Sequence, residues 1–169
     1  MAVDLYILRH GIAEERTGST PGGDSQRRLT DEGKKKMRRI AKGMKALHLE
    51  FDLILSSPFL RAKETAEIVA AVFGIEKLLN LSSNLAADGN PKELIDELKR
   101  NYSKRKRVLL VGHEPYLSRL ISLLISGDTG IPIILKKGGL CKLSLASLHY
   151  GRCATLDWLL TPGQTRKTG

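Results

Sequence analysis

Two histidines stand directly after short apolar runs of the kind that form buried β-strands. His10 follows the run at residues 5–8 and Arg9, and His113 follows the run at residues 108–111 and a glycine. In open α/β sheets the carboxyl ends of parallel strands share one edge, and ligands bind there. A neutral imidazole is a nucleophile toward phosphorus, and its ordinary pKa of about 6.5 leaves a useful fraction neutral at physiological pH. We therefore expect His10 to accept a phosphoryl group at this edge, with His113 nearby.

Two arginines accompany this pattern. Arg9 immediately precedes His10, and Arg61 lies in a predicted helix that begins near Ser57, after a third apolar run at residues 53–55. A guanidinium stays protonated and binds phosphate oxygens through its planar fork, so both arginines suit the charge on a transferred phosphoryl group. Ser57 is predicted to cap the helix, where backbone N–H groups and the helix dipole favour an anion. The three strand ends are expected to form one phosphate-binding edge.

Each of these residues also has an ordinary structural interpretation. A single histidine is more often structural than catalytic, and His48 and His149 are assigned to that class. Taken alone, Arg61 is compatible with a solvated helix residue and Ser57 with a helix cap only. The combination of two histidine-bearing strand ends with arginines favours a functional site over these separate interpretations.

The composition excludes several classes of protein. A chain of 169 residues with 41% hydrophobic residues fits one globular domain, and no apolar run approaches the roughly 20 residues that span a bilayer. Cys141 and Cys153 are the only cysteines, without a CxxC pair or a zinc-type cluster, so we expect free thiols, no metal and no cofactor. The first residues lack the pattern of a secretory signal. The expected location is therefore the cytoplasm, without membrane contact.

The charge balance indicates the kind of partner. The sequence has 28 Lys and Arg against 18 Asp and Glu, a formal net charge of +10. This excess predicts an acidic partner, which by charge alone is a phosphate group, an acidic protein or a nucleic acid. The basic runs at residues 34–42 and 104–107 are typical of solvated faces, and aromatic residues make up only 5% of the chain without a stacking platform. Nucleic acid is therefore the least favoured partner.

Strand patterns alternate with helix patterns along most of the chain. Helices are predicted over 30–47, with Thr30 as cap, and over 57–74, from Asn90 onward and over 115–127. The last third predicts strands at 131–135, 140–145 and 155–160. Such alternation favours a single three-layer α/β domain, a mostly parallel sheet with helices on both faces. Residues 1–161 are expected to form this catalytic domain and residues 162–169 a flexible tail.

Three motifs in this order resemble the histidine phosphatase superfamily: Leu8-Arg9-His10-Gly11, the segment 56–62 with Glu64-Thr65-Ala66, and Gly112-His113-Glu114-Pro115. The short chain and the segment Arg27-Arg28-Leu29-Thr30 with Gly33 resemble the small bacterial phosphohistidine phosphatases. The resemblance extends to about Thr161, and the fold it implies is that of the phosphoglycerate mutase-like enzymes.

The resemblance also implies roles for individual residues. By position, His10 is the phosphorylated nucleophile, and Arg9, Arg61 and His113 surround the transferred group. Arg27 matches a further arginine that contacts the phosphate or the incoming substrate. Its neighbour Arg28 stands where related sequences often have proline, so the sequence leaves open which of the two faces the site.

One departure from the family pattern bears on the substrate. Superfamily members that cleave phosphate monoesters usually carry a carboxylate after the third strand to protonate the leaving alcohol, whereas this chain has Asn84 there and Asp88 as the nearest alternative. General acid catalysis is typically worth 10² to 10⁴ in rate, and a leaving imidazole needs less of it. The leading hypothesis is therefore a metal-independent phosphohistidine phosphatase acting on a His-phosphorylated protein.

Two alternatives stay open. The same catalytic core can serve a small phosphate ester or anhydride, with Asp88 as acid. A non-catalytic module that binds phosphate or nucleic acid is the less favoured alternative, because basic charge is its only support. The oligomeric state is not indicated.

Overall fold

The computed structural model describes residues 2–169 and contains one mixed six-stranded sheet between two helical layers. In chain order the strands are β1 Val3–Arg9, β2 Leu53–Ser56, β3 Leu79–Leu81, β4 Arg107–Gly112, β5 Leu140–Leu145 and β6 Ala154–Leu160. The helices are α1 Asp31–Ala46, α2 Leu60–Phe73, α3 Pro91–Asn101, α4 Tyr116–Ser126 and α5 Pro162–Arg166. The strand order is β3-β2-β4-β1-β5-β6, with β1 to β4 parallel and β5 and β6 antiparallel to their neighbours. The predicted α/β class is confirmed.

Both faces of the central strands β1, β2 and β4 are buried, which explains the continuous apolar runs. On β1, Leu5 and Ile7 pack in the core beneath α3 and α4, while Tyr6 and Leu8 pack in the core beneath α1 and α2. Side chains alternate between faces along a strand, so a strand covered on both sides must be apolar at every position. Within the described residues, no helix is long and apolar enough to cross a membrane.

The helix ends follow local rules. Thr30 accepts a hydrogen bond from the Gly33 amide at 2.9 Å and caps α1, as predicted. Gly74 and Gly127 end α2 and α4 in the left-handed conformation, which glycine adopts without strain.

Two local predictions are wrong. Residues 131–135 form no strand: Pro132 has no N–H to donate to a ladder, and Ile134 is 81% exposed. Ser57 does not cap α2, which begins at Leu60 with Phe59 as N-cap. The Ser57 amide instead donates to the Val111 carbonyl at 2.9 Å, so the chain leaves the sheet later than predicted.

The structure also differs from the expected flexible tail at residues 162–169. Thr161 and Gln164 form a reciprocal capping box at the start of α5, and Thr165 is fully buried against α1. Thr168 Oγ1 donates to the Gly43 carbonyl at 3.0 Å. Gly43 has room for no side chain, because a Cβ would clash with the Thr165 carbonyl. The pattern Thr161-Pro162 with Gln164 was a helix-start signal available in the sequence.

Candidate active site

The carboxyl ends of three adjacent parallel strands deliver the predicted side chains to one place. His10 continues β1, and its amide donates to the Gly112 carbonyl of β4 at 3.1 Å. His113 continues β4, and Ser57 continues β2 on its other side. Residues far apart in the chain therefore share one sheet edge.

The two histidines and Arg61 form a buried cluster at this edge. The His10 and His113 ring centroids are 5.3 Å apart, and Arg61 Nε donates to His10 Nε2 at 3.3 Å. The exposed fractions of His10, His113 and Arg61 are 5%, 1% and 3%. A guanidinium held against an imidazole in a water-poor environment can stabilise charge far more strongly than on an exposed surface.

The hydrogen bonds of His10 define its tautomer. Its Nδ1 lies 2.7 Å from the Gly11 carbonyl, which only accepts, so the proton is on Nδ1 and the unprotonated Nε2 accepts from Arg61 Nε. Burial is the main reason that the pKa of His10 falls from 6.5 to about 3; the Gly11 hydrogen bond opposes this fall, and His113 and Arg61 add to it. The ring is therefore neutral at physiological pH, with its nucleophilic nitrogen toward Arg61.

His113 is held by a hydroxyl. Its Nε2 lies 2.7 Å from Ser57 Oγ, which also accepts from the Phe59 amide at 3.2 Å. Burial and then the positive charge of Arg61 lower the pKa of His113 to about 3. The other ring nitrogen, Nδ1, is buried without a hydrogen-bond partner in residues 2–169. Ser57 therefore orients an imidazole rather than capping a helix.

Arg9 is a second cation of the site and, unlike Arg61, is only half-buried. Its Nη1 donates to the Leu135 carbonyl at 3.0 Å, which ties the loop before β5 to the end of β1. Its Nε is buried and makes no hydrogen bond to any described part of the chain. Arg9 Nε is thus a donor without an acceptor in the described chain, and, besides burial, the charge of Arg9 lowers the pKa of both His10 and His113.

Asp24, which the sequence analysis did not select, is bound to the arginines. Its Oδ2 accepts from Arg61 Nη2 at 3.1 Å, and its backbone carbonyl accepts from Nη1 at 2.8 Å. Its Oδ1 accepts from Arg27 Nε at 2.8 Å and from Arg16 Nε at 3.2 Å. Partial burial raises the pKa of Asp24, but the hydrogen bond from Arg16 and the charges of Arg61 and Arg27 outweigh it and bring the pKa to about 2. A carboxylate therefore occupies donors of Arg61 that a phosphoryl group would use.

The signal for Asp24 was weak but present. It lies three residues before Arg27 and follows Gly22 and Gly23, which have φ values of 80° and 77° and form a turn. A carboxylate after a glycine turn and before an arginine does not by itself identify a site residue; the tertiary contact with Arg61 does.

Arg27, and not Arg28, turns toward the site. The Arg27 side chain is 15% exposed, and its Nη1 donates to the Glu14 carbonyl at 2.8 Å. Arg28 is exposed and, within residues 2–169, makes hydrogen bonds only through its backbone: its amide donates to the Glu14 carboxylate at 3.4 Å and its carbonyl accepts from the Glu14 amide at 2.8 Å.

Thr65 joins the loop after β1 to the helix that carries Arg61. Its Oγ1 accepts from the Gly11 amide at 3.1 Å and donates to the Arg61 carbonyl at 2.7 Å. The bond to Arg61 lies within α2, whereas the bond from the Gly11 amide to the fully buried Thr65 holds α2 against the residue that follows His10.

The segment after β3 presents no carboxylate at position 84. Asn84 Nδ2 donates to Glu97 Oε2 at 2.9 Å, and Ser82 Oγ donates to the same oxygen at 2.5 Å. Asp88 is exposed and makes no side-chain hydrogen bond or ion pair within residues 2–169. In that range no group of three His, Cys, Asp or Glu residues is placed to hold a metal ion.

Comparison with known proteins is consistent with this geometry. The family model of the histidine phosphatase superfamily (branch 1) matches residues 5–82. A phosphohistidine phosphatase SixA homolog of Haemophilus influenzae is 30% identical over 131 residues, covering 72% of this chain and 77% of the relative. The chain belongs to the histidine phosphatase superfamily.

Further similarities within the histidine phosphatase superfamily span almost the whole chain. Phosphohistidine phosphatase SixA of Escherichia coli is 27% identical over 161 residues, 95% of this chain and 94% of the relative. A solved structure of the protein histidine phosphatase SixA complexed with tungstate superposes with a TM-score of 0.81 at 26% identity, covering 95% of this chain and 98% of that one. The family model ends before His113, whereas these longer matches extend beyond it.

Proposed function

We propose that this histidine phosphatase removes phosphate from phosphohistidine on a protein, through a phosphohistidine intermediate on His10. The observation that carries the proposal is the neutral His10 ring, whose unprotonated Nε2 accepts a hydrogen bond from the buried Arg61 guanidinium at 3.3 Å. Similarity to the E. coli phosphohistidine phosphatase SixA and to its H. influenzae homolog supports the same substrate class.

The reaction has two steps. In the first, His10 Nε2 attacks phosphorus, the P–N bond of the substrate breaks, and the leaving imidazole takes a proton from solvent. In the second, water attacks the phosphorus on His10, and inorganic phosphate and the neutral ring are released. Arg61, Arg9 and His113 would stabilise the three phosphoryl oxygens, because Arg9 Nε is a buried donor without an acceptor within residues 2–169 and His113 Nδ1 is buried there without a hydrogen-bond partner.

The residues available to protonate a leaving group favour cleavage of a P–N bond over cleavage of an ester. Asn84 is an amide already engaged with Glu97, and Asp88 is exposed, so neither residue supplies a general acid to the site. Loss of general acid catalysis costs typically 10² to 10⁴ in rate for an alkoxide leaving group and much less for an imidazole.

Cationic side chains would replace a metal in this reaction. The arginines and His113 surround the site, and guanidinium groups can bind all the phosphoryl oxygens as a metal clamp would. The enzyme is expected to need no divalent cation. Cys141 is buried and Cys153 half-buried, both as free thiols, which suits a reducing compartment such as the cytoplasm.

A protein substrate fits the surroundings of the site. Between α2 and α3 the chain forms only β3 and two short 3-10 turns, at 76–78 and 83–85, so no large insertion covers the sheet edge at this point. The net charge of +10 would raise the association rate with an acidic phosphoprotein.

The test is turnover on a panel of substrates: a phosphorylated histidine phosphotransfer domain, an aryl phosphate, sugar phosphates and a nucleotide. We expect fastest turnover on the phosphohistidine protein, unchanged by a chelator, and a ³²P-labelled enzyme that is acid-labile. His10→Ala should lose both turnover and label, while His48→Asn serves as control because His48 is exposed at a φ of 56° that Asn tolerates. Preferred hydrolysis of a small ester would contradict the proposal.

A further inference from the structure

A small recess opens beside the nucleophile, between the loop after β1, helices α1 and α5, and the loop before β5. Its volume is about 180 Å³, and Gly11, Met37 and Ile40 form part of its wall. Three cationic residues, Lys36, Lys137 and Arg166, also line it. We call this the basic recess; neither Arg9 nor Arg61 contributes to it.

Backbone contacts connect the basic recess to His10. Gly11, in its wall, directly follows the nucleophile. The amide of Gly138, next to Lys137, donates to the backbone carbonyls of Arg9 and His10 at 3.1 Å each. A group bound in the recess would therefore lie next to the phosphoryl site without occupying it.

The cations of the recess are poorly neutralised. Lys137 is exposed, and neither Lys137 nor Arg166 forms an ion pair within residues 2–169. Lys36 pairs only with Glu32, at 2.9 Å, on the exposed side of α1. Three converging cations with one exposed counter-charge attract an anion.

The adjoining loop has the character of a protein contact surface. In the segment 131–137, Ile134 is 81% exposed and Ile131 is 39% exposed. The carbonyl of Leu135, which lies between Ile134 and Lys136, accepts the hydrogen bond from Arg9. Exposed aliphatic side chains next to unpaired cations are suited to a protein partner, because such a partner covers apolar area and supplies carboxylates together.

We propose that the basic recess binds a carboxylate side chain of the protein that carries the phosphohistidine, while Ile134 packs on an apolar residue of the same protein. This inference rests on the proposed function, because it names how the substrate protein is recognised. The recess is too small for a helix, and a single Asp or Glu side chain is the protein anion that suits it.

The kinetic test compares two variants with the same change in charge. Lys36→Gln, Lys137→Gln and Arg166→Gln are combined in the recess variant. The control variant combines Lys99→Gln, Lys104→Gln and Arg105→Gln. These cations are exposed and precede the amino end of β4, at the end of the sheet opposite the recess. We expect the recess variant to lose roughly 10-fold in kcat/KM on a phosphorylated histidine phosphotransfer domain at low salt, with less loss at high salt.

On an aryl phosphate both variants should keep the unmodified enzyme's kcat/KM, because that substrate does not reach the recess. Equal losses in the two variants on the phosphoprotein would overturn the inference, as would an equal loss on the aryl phosphate. Ile134→Ser should lower kcat/KM on the phosphoprotein only, with the 41% exposed Leu156→Ser on β6 as control.

A binding measurement separates this inference from the proposed function. Hexaglutamate is titrated into ¹⁵N-labelled protein, and the amide shifts of Gly11 and Gly138 should move in the unmodified and control proteins and stay unchanged in the recess variant. Absence of these shifts in the unmodified protein overturns the recess. Shifts at both glycines without turnover on a phosphohistidine protein would support the recess and refute the proposed function.

Discussion

Replacing Asp24 by Asn should weaken the fold and strengthen oxyanion binding at the same time. The Asp24 carboxylate joins the side chains of Arg61, Arg27 and Arg16, and without it three guanidinium groups face each other. An amide keeps the size of the side chain but not the negative charge. The variant therefore isolates the electrostatic role of Asp24.

The magnitude follows from the lowered pKa. A fall from 3.8 to about 2 corresponds to roughly 2 kcal/mol in favour of the charged form. The Asp24 side chain is 28% exposed, so solvent screening reduces this to about 1 kcal/mol. The contribution is present above the unfolded pKa of about 4 and is lost as the pH falls through 2, so it is complete at pH 7.

Two measurements at pH 7 test this expectation. Asp24→Asn should lower Tm by about 2–4 °C, the shift that about 1 kcal/mol produces in a domain of this size. Tungstate should bind the variant about fivefold more tightly than the unmodified protein, because about 1 kcal/mol is no longer needed to displace the carboxylate from Arg61. Calorimetry of tungstate binding and thermal unfolding with and without tungstate give both quantities.

The exposed Asp88→Asn variant is the matched control, since it removes the same charge from a residue without a described partner. Equal Tm and equal tungstate affinity in the two variants would refute the reasoning. Weaker tungstate binding in Asp24→Asn would also refute it, because Asp24 would then assist oxyanion binding.

Three further outcomes are expected. The pKa values of about 3 for His10 and His113 lie below the unfolded value of 6.5, so protonation at low pH favours the unfolded chain. The free energy of unfolding from urea titration should therefore fall as the pH goes from 7 to 4, and it should fall less steeply in His10→Asn. An NMR titration midpoint of His10 near 6.5 would contradict this. Thr65→Val should cost about 1–3 kcal/mol and lower kcat, since it leaves a buried amide unpaired; an unchanged kcat would show that the contact does not position the site. Gly43→Ala should speed tryptic cleavage after residue 166 by pushing α5 from α1, with the uncrowded Gly18→Ala as control; equal cleavage rates would contradict the clash.

Local patterns in the sequence predicted the framework of this enzyme. The runs before His10 and His113 are apolar at every position because both faces of those strands are covered, and this is visible without coordinates. The Thr30 cap and the glycine stop at Gly74 are encoded within a few residues of the helix end. The strand predicted at 131–135 does not form, because Pro132 interrupts the run of aliphatic residues and has no N–H to donate to a neighbouring strand.

The sequence by itself determined which residues stand at the strand ends, because periodicity, caps and turn residues act between near neighbours. The tertiary structure alone decided that Asp24 neutralises Arg61, that Arg27 rather than Arg28 turns inward, and that Ser57 orients His113. The Asp24–Arg61 and Ser57–His113 contacts join residues 37 and 56 positions apart in the chain, and Arg27 turns inward because it binds the same Asp24. Their geometry depends on how the crossovers pack against the sheet, and no local pattern records that.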